Sequence, residues 1–217
     1  MITARKFFLL FTFLLVALIL YPFAGDSGSR YYLFRILSSL VIVLSVYAVS
    51  FRRSLVLFAL VLAVPALLQH VFFYRFDAGI LPILRVAMSF TFEVFIVVVI
   101  FRRVFTHQQA NAETIFGALC VYLLVGFSFT SLYGILSDVR PDAFYLDPLT
   151  NNHRIPDRLD FIYYSFGTLT SLGAAGITPV SREARSLTVI ESILGVLYLA
   201  VLISRLMAAY RSRQPEP

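Results

Sequence analysis

Residues 160–179 read Asp-Phe-Ile-Tyr-Tyr-Ser-Phe-Gly-Thr-Leu-Thr-Ser-Leu-Gly-Ala-Ala-Gly-Ile-Thr-Pro. Asp160 suits a helix N-cap, and a helix of about three turns can follow to Thr170. A Gly/Ala-rich extended strand comes next, since Gly173, Gly176 and Pro179 are poor helix formers. Thr178-Pro179 then turns the chain back. A helix C-terminus carries roughly half a negative charge. Small side chains beyond it let backbone carbonyls face an axis where subunits meet. The chemistry on offer is coordination of a cation by main chain.

The side chains that could do other chemistry are few. Glu191 lies about two turns into the last apolar run, where an acid is costly without a partner. We expect it to hydrogen-bond the back of the 160–170 helix, at Thr168, as structural support rather than as an ion ligand. Arg85 and Glu93 interrupt another apolar run. Arg85 can snorkel to the outer interface, and Glu93, near mid-membrane, needs a partner, with a proton or ion site as the alternative. A voltage sensor needs a run of basic residues at every third position. One interior arginine predicts no strong voltage sensing. His70, His107 and His153 show no metal-ligand spacing. Cys120 stands alone in an apolar run and reads as a small buried residue. No serine nucleophile has a base at recognisable spacing, and there is no phosphate loop or dinucleotide fingerprint. Neither enzyme, cofactor nor metal is expected.

The elements that position these residues follow from composition. Of 217 residues 59% are hydrophobic and 14% charged, and the mean hydropathy is +0.85. Soluble domains are about 45–50% apolar and about 25% charged. Both a soluble globular fold and disorder are excluded, leaving a polytopic membrane protein. The net charge of +6 comes from arginines paired at the ends of apolar runs, so it reads as topology rather than nucleic-acid binding. Uncharged or nearly uncharged runs at 7–25, 36–51 (extended back to Tyr31), 54–74, 79–101, 114–137 and 184–207 give six spans. The first could instead be a cleaved signal peptide. The glycines of 161–181 make that stretch a poor span and a better re-entrant segment, tolerated at depth only against protein or water. Nine basic residues, among them Arg52/Arg53, Arg102/Arg103 and Arg205, fall on one side, while the acids of 138–185 nearly cancel its arginines. Both termini are therefore expected in the cytoplasm. The expected fold is all-α integral membrane: six transmembrane helices with a re-entrant pore helix and filter loop between helices 5 and 6. A four-helix region spans 1–111 and a pore domain 112–217. Both tails are short, and no soluble regulatory domain is expected on either.

Residues 163–179, with Gly195-Val-Leu-Tyr-Leu-Ala-Val-Leu-Ile-Ser-Arg-Leu206, resemble the pore of the tetrameric potassium-channel superfamily. They are most similar to its small bacterial ion channels with a two-transmembrane pore domain. That family reads Y-F-S-F-V-T-L-T-T-V-G-Y-G-D-I-T-P over the first stretch and G-Q-L-Y-L-A-V-L-I-A-R-L over the second. The resemblance covers about a quarter of the chain and joins pore helix, filter and inner helix in one register. The upstream spans match only in number and apolarity. The bland alternative is a helical hairpin with a Gly/Ala packing loop.

The resemblance implies a passive cation channel, homotetrameric because one filter loop encloses no pore, in the lipid bilayer of the cytoplasmic membrane. Its filter would be Thr170, Ser171, Leu172, Gly173, Ala174, Ala175 and Gly176, supported by Thr168 and Glu191. Potassium filters replace the ion's water shell with T-V-G-Y-G carbonyls. Here Ala174 stands for the bracing aromatic, Ala175 for a glycine of positive φ, and Gly176 for the outer aspartate. A left-handed non-glycine costs roughly 1–2 kcal/mol. The expectation is conduction of potassium and sodium with weak selectivity between them. Gly195 matches a family position resembling a gating hinge; a packing glycine is the equal alternative. The Ala200, Ser204, Ala208 stripe reads as helix packing. Two other functions stay open: a non-conducting pore homologue acting as a regulatory or structural membrane subunit, and a small transporter with Glu93 or Glu191 as proton site.

Overall fold

The computed structural model describes residues 4–23, 29–51, 53–71, 81–106, 112–151 and 156–211. Among the described residues six long helices form: α1 (Ala4–Leu20), α2 (Ser29–Ala48), α3 (Arg53–Val71), α4 (Leu81–Thr106), α5 (Ala112–Val139) and, after the short elements that follow α5, α7 (Arg182–Arg211). Between α5 and α7 lie a three-residue strand β1 (Phe144–Leu146), a short helix α6 (Arg158–Leu169) and a strand β2 (Ile177–Pro179). The protein is a mostly helical membrane protein. Among the described residues, three stretches are long and apolar enough to cross a bilayer: Lys6–Phe23, Ala112–Val139 and Arg182–Met207. Ile36–Ala48 and Arg53–Leu67 are shorter apolar helices.

The largest buried cluster joins the first five helices. Phe7, Leu10 and Leu14 of α1 meet Phe92, Ile96 and Ile100 of α4 and Val121 and Leu124 of α5. The periods of three and four in those triplets put each set on one helix face. Glycine lets α1 approach α5 closely: a Cβ on Gly117 would come within 2.8 Å of Val104 and 3.3 Å of Phe7. Polar groups near the start of α1 and the end of α2 are also paired, Lys6 Nζ donating to Ser50 Oγ at 2.7 Å. The Arg103 guanidinium lies 3.5 Å from the centre of the Phe51 ring.

A second, smaller cluster covers the N-terminal half of α6. Tyr133, Phe144, Phe161 and Tyr164 pack edge to face, with ring centres 5.0 Å apart for Tyr133–Tyr164 and for Phe144–Phe161. The antiparallel β1–β2 ribbon, with Phe144 opposite Pro179 and Leu146 opposite Ile177, presses Phe144, Leu146 and Ile177 into this cluster. The sequence reading has Thr178-Pro179 turning the chain back but no partner strand for it. Phe144-Tyr-Leu146 was hidden because a three-residue strand leaves no readable alternation.

The short helix begins earlier than expected. Its N-cap is Asp157, and Asp160 is the third helical residue. Asp157 Oδ1 accepts from the Asp160 N–H at 2.8 Å, and Asp160 Oδ2 accepts from the Asp157 N–H at 2.8 Å. This reciprocal capping box satisfies two orphan donors at once, which a single cap at Asp160 could not do.

The side chains of Arg85 and His70, and residues His107 and His153, lie outside the described residues.

Candidate functional site

The site is the hairpin of α6, the loop 170–176 and the start of α7. Polar groups on α5 and α7 hold α6 from behind. Tyr133, Ser165 and Glu191 are each essentially inaccessible to solvent. The Tyr133 hydroxyl donates to Glu191 Oε2 at 2.6 Å. Ser165 Oγ lies 2.5 Å from Glu191 Oε1 and 2.7 Å from the Gly126 carbonyl oxygen. A serine hydroxyl has one proton, and a carbonyl can only accept. The set closes when Ser165 donates to Gly126 and the Glu191 carboxyl donates its own proton to Ser165 Oγ. Glu191 does meet the back of α6, at Ser165, one turn before Thr168. Thr168 itself is buried, and its carbonyl accepts from the Ser171 N–H at 3.0 Å. Tyr164 and Thr188 share a further hydrogen bond of 2.6 Å between α6 and α7.

The C-terminal end of α6 is a close three-way junction. The Leu169 carbonyl accepts from the Tyr122 hydroxyl at 3.2 Å. Gly195 of α7 packs onto that same carbonyl, and a Cβ at Gly195 would collide with its oxygen. α7 runs unbroken through Gly195. Gly126 of α5 makes a similar space on the other side, where a Cβ would stand 2.8 Å from the Phe166 ring.

Thr170 to Gly176 form one contiguous loop at this junction. Thr170, Ser171, Leu172, Gly173 and Ala175 are exposed, Leu172 by 80%. Positive φ falls at Ser171 (58°), Gly173 (84°) and Gly176 (86°). The strain expected at Ala175 is absent: the left-handed step has moved one residue on, to Gly176, where glycine adopts it at no steric cost. The chain then folds back on its own helix. The Gly173 N–H donates to the Gly167 carbonyl at 3.0 Å, and a Cβ at Gly167 would sit 2.8 Å from the Gly173 carbonyl oxygen. Gly167, where the resembling family reads valine, is thus the seat of the loop.

The bracing that an aromatic at 174 would give comes from elsewhere. Ala174 packs against the aromatic cluster. The Ala175 N–H donates to the Tyr163 hydroxyl at 3.1 Å. The Gly176 carbonyl accepts from Asn151 Nδ2 at 2.9 Å and from the Asp147 N–H at 2.9 Å. Tyr133, Ser165, Gly167, Asn151 and Tyr163 are therefore residues of the site that sequence reasoning did not single out. The one available signal was Gly167, a glycine inside an otherwise good helix.

Cys120 is fully buried. No cluster of metal-ligating side chains occurs among the described residues.

Residues 117–212 match the family model described as "Ion channel". The chain is also 30% identical over 142 residues to the voltage-gated potassium channel Kch of Escherichia coli (strain K12). That match covers 65% of this chain and 30% of the relative's length. No solved structure matches significantly. The matched relative is an ion channel rather than an enzyme, and the stretch that the family model matches contains α6, the loop and α7. Residues 117–212 are thus similar to the ion-channel family, and the chain spans about a third of the length of the potassium channel it matches.

Proposed function

We propose that this protein is a homotetrameric membrane channel for monovalent cations, with weak discrimination between potassium and sodium. In this reading all six long helices cross the cytoplasmic membrane, both termini lie in the cytoplasm, and α6 re-enters from outside. Residues 1–111 form a helical region around a pore domain of residues 112–217. The C-terminal dipole of α6 stabilises a cation near the membrane centre, and carbonyls of Thr170 to Gly176 replace part of its water shell.

One observation carries the reading. The loop after α6 is exposed, and so is the neighbouring face of α7 at Val189, Ile190, Ile193, Leu194, Val196 and Leu197. A single loop encloses nothing. Four copies around one axis cover these apolar residues and turn four exposed loops into a ring. The relaxed selectivity rests on the loop's seat at Gly167 and on its left-handed step at Gly176, a backbone path that differs from the one T-V-G-Y-G favours. Gly195, pressed against the Leu169 carbonyl, fixes α7 to the end of α6, so a bend of α7 there would disturb the filter directly.

Reconstitution in liposomes tests this. Potassium and sodium flux should both occur, at rates within about tenfold of each other, a ratio worth about 1.4 kcal/mol. Leu172→Cys should lose that flux on treatment with a thiol-reactive cation, whereas the native protein, whose only cysteine is buried, should not. Absence of flux from assembled tetramers would overturn conduction and leave a structural subunit. Strict potassium selectivity would overturn the relaxed filter.

A further inference from the structure

A cavity lies away from the loop, among α1 to α5 and the N-terminal half of α6. It has a volume of about 190 Å³. A single water occupies about 30 Å³ of liquid, so the space is far too large for a bare inorganic ion. Its lining is mixed. Ser38, Ser45, Ser89, Thr130 and Ser131 supply hydroxyls, while Phe92 and Phe127 supply aromatic surface. The one acid is Glu93, whose Oε2 is buried and has no hydrogen-bond partner. A buried carboxylate oxygen without a donor is costly, and native structures rarely leave one.

We infer that this cavity is a binding site for a small organic ammonium, held by Glu93 through a charge-assisted N–H to Oε2 hydrogen bond. Ser131 and Arg158 also face the Glu93 carboxyl, so the ammonium meets it at Oε2, the oxygen left without a donor. Its apolar body rests against Phe92 and Phe127, whose ring faces also attract a cation. Hydroxyls on the wall take the remaining N–H groups. Arg158, the first residue of α6, also lines the cavity, and with one acid and one base in the lining a single positive charge on the ligand is the better match than two. Because Arg158, Leu159 and Ile162 belong to α6, an occupant touches the helix that carries the loop. Glu93 and the hydroxyls around it take no part in the channel reading, so the site stands or falls separately from conduction.

Benzylammonium is a suitable probe, with benzyl alcohol as its uncharged counterpart. Calorimetric titration of the purified protein in neutral detergent should give a saturable isotherm for the amine and none for the alcohol. Glu93→Gln should weaken binding tenfold or more, since it removes the charge and keeps the shape. Ser45→Phe, which fills the cavity from α2, should abolish it. The thermal midpoint of each variant shows whether it has folded; Glu93→Gln, which is nearly isosteric, decides if Ser45→Phe does not fold. No saturable binding overturns the inference. So does binding that persists in folded Glu93→Gln, which would assign the amine to the pore or to the detergent-exposed surface.

Discussion

Replacing Glu191 by alanine probes the brace behind the pore helix. The substitution leaves the Tyr133 hydroxyl, now 2.6 Å from Glu191 Oε2, buried without an acceptor. That costs about 1–3 kcal/mol. Ser165 keeps its bond to the Gly126 carbonyl at 2.7 Å but loses the other. Deleting the buried side-chain atoms adds a cavity term, for a total of about 3–5 kcal/mol per protomer by analogy with large-to-small core changes. At about 2–4 °C per kcal/mol for a chain of this size, the midpoint of thermal unfolding should fall by about 10 °C. Circular dichroism in detergent reads it, since the chain has no tryptophan. Glu191→Gln discriminates the proton count. A glutamine amide donates to Ser165 Oγ and its carbonyl accepts from Tyr133, as the protonated acid does, so the cost should stay below about 1 kcal/mol. If Glu191→Gln is as unstable as Glu191→Ala, the brace needs an ionised carboxylate and the reasoning from shared protons is wrong.

Three further outcomes are expected. Gly195→Ala drives a methyl group into the Leu169 carbonyl oxygen; overpacking of about 1–3 kcal/mol outweighs the gain in helix propensity of about 1 kcal/mol, so the midpoint should drop and cation flux should change, whereas unchanged values would mean that α7 moves freely off α6. Gly167→Val restores the family's residue but meets the Gly173 carbonyl oxygen at 2.8 Å; it should unseat the loop and alter the potassium-to-sodium flux ratio at least severalfold, and an unaltered ratio would show that the seat does not shape the filter. Asp157→Ala removes one half of the capping box and should cost about 1 kcal/mol, read as a fall in thermal midpoint of a few degrees, with Asp160→Ala producing a similar fall; if only Asp160→Ala does, the helix starts at residue 160 after all.

The sequence determined the membrane class, the positions of the long helices to within a few residues, and the register of helix, loop and helix at 160–206. Each of these is written in local information. Apolar runs report burial in lipid by length alone, and the order Tyr163 to Pro179 is contiguous in the chain. The sequence also marked Glu191 as an acid in need of a partner, because the cost of a buried carboxyl does not depend on what surrounds it.

The identity of the partner was a tertiary fact. Ser165 and Tyr133 lie 26 and 58 residues from Glu191, and no spacing rule links them. The same holds for the loop. Locally, Ala175 should carry the strain of a family glycine. In the folded chain, Asp147 and Asn151 reach across 25 or more residues to hold the Gly176 carbonyl, and the left-handed step falls on the glycine they hold. Glycine inside a helix reads locally as a weak helix former. Only the approach of Gly173 to Gly167, and of Leu169 to Gly195, reveals that the missing side chains make room for main chain to meet main chain.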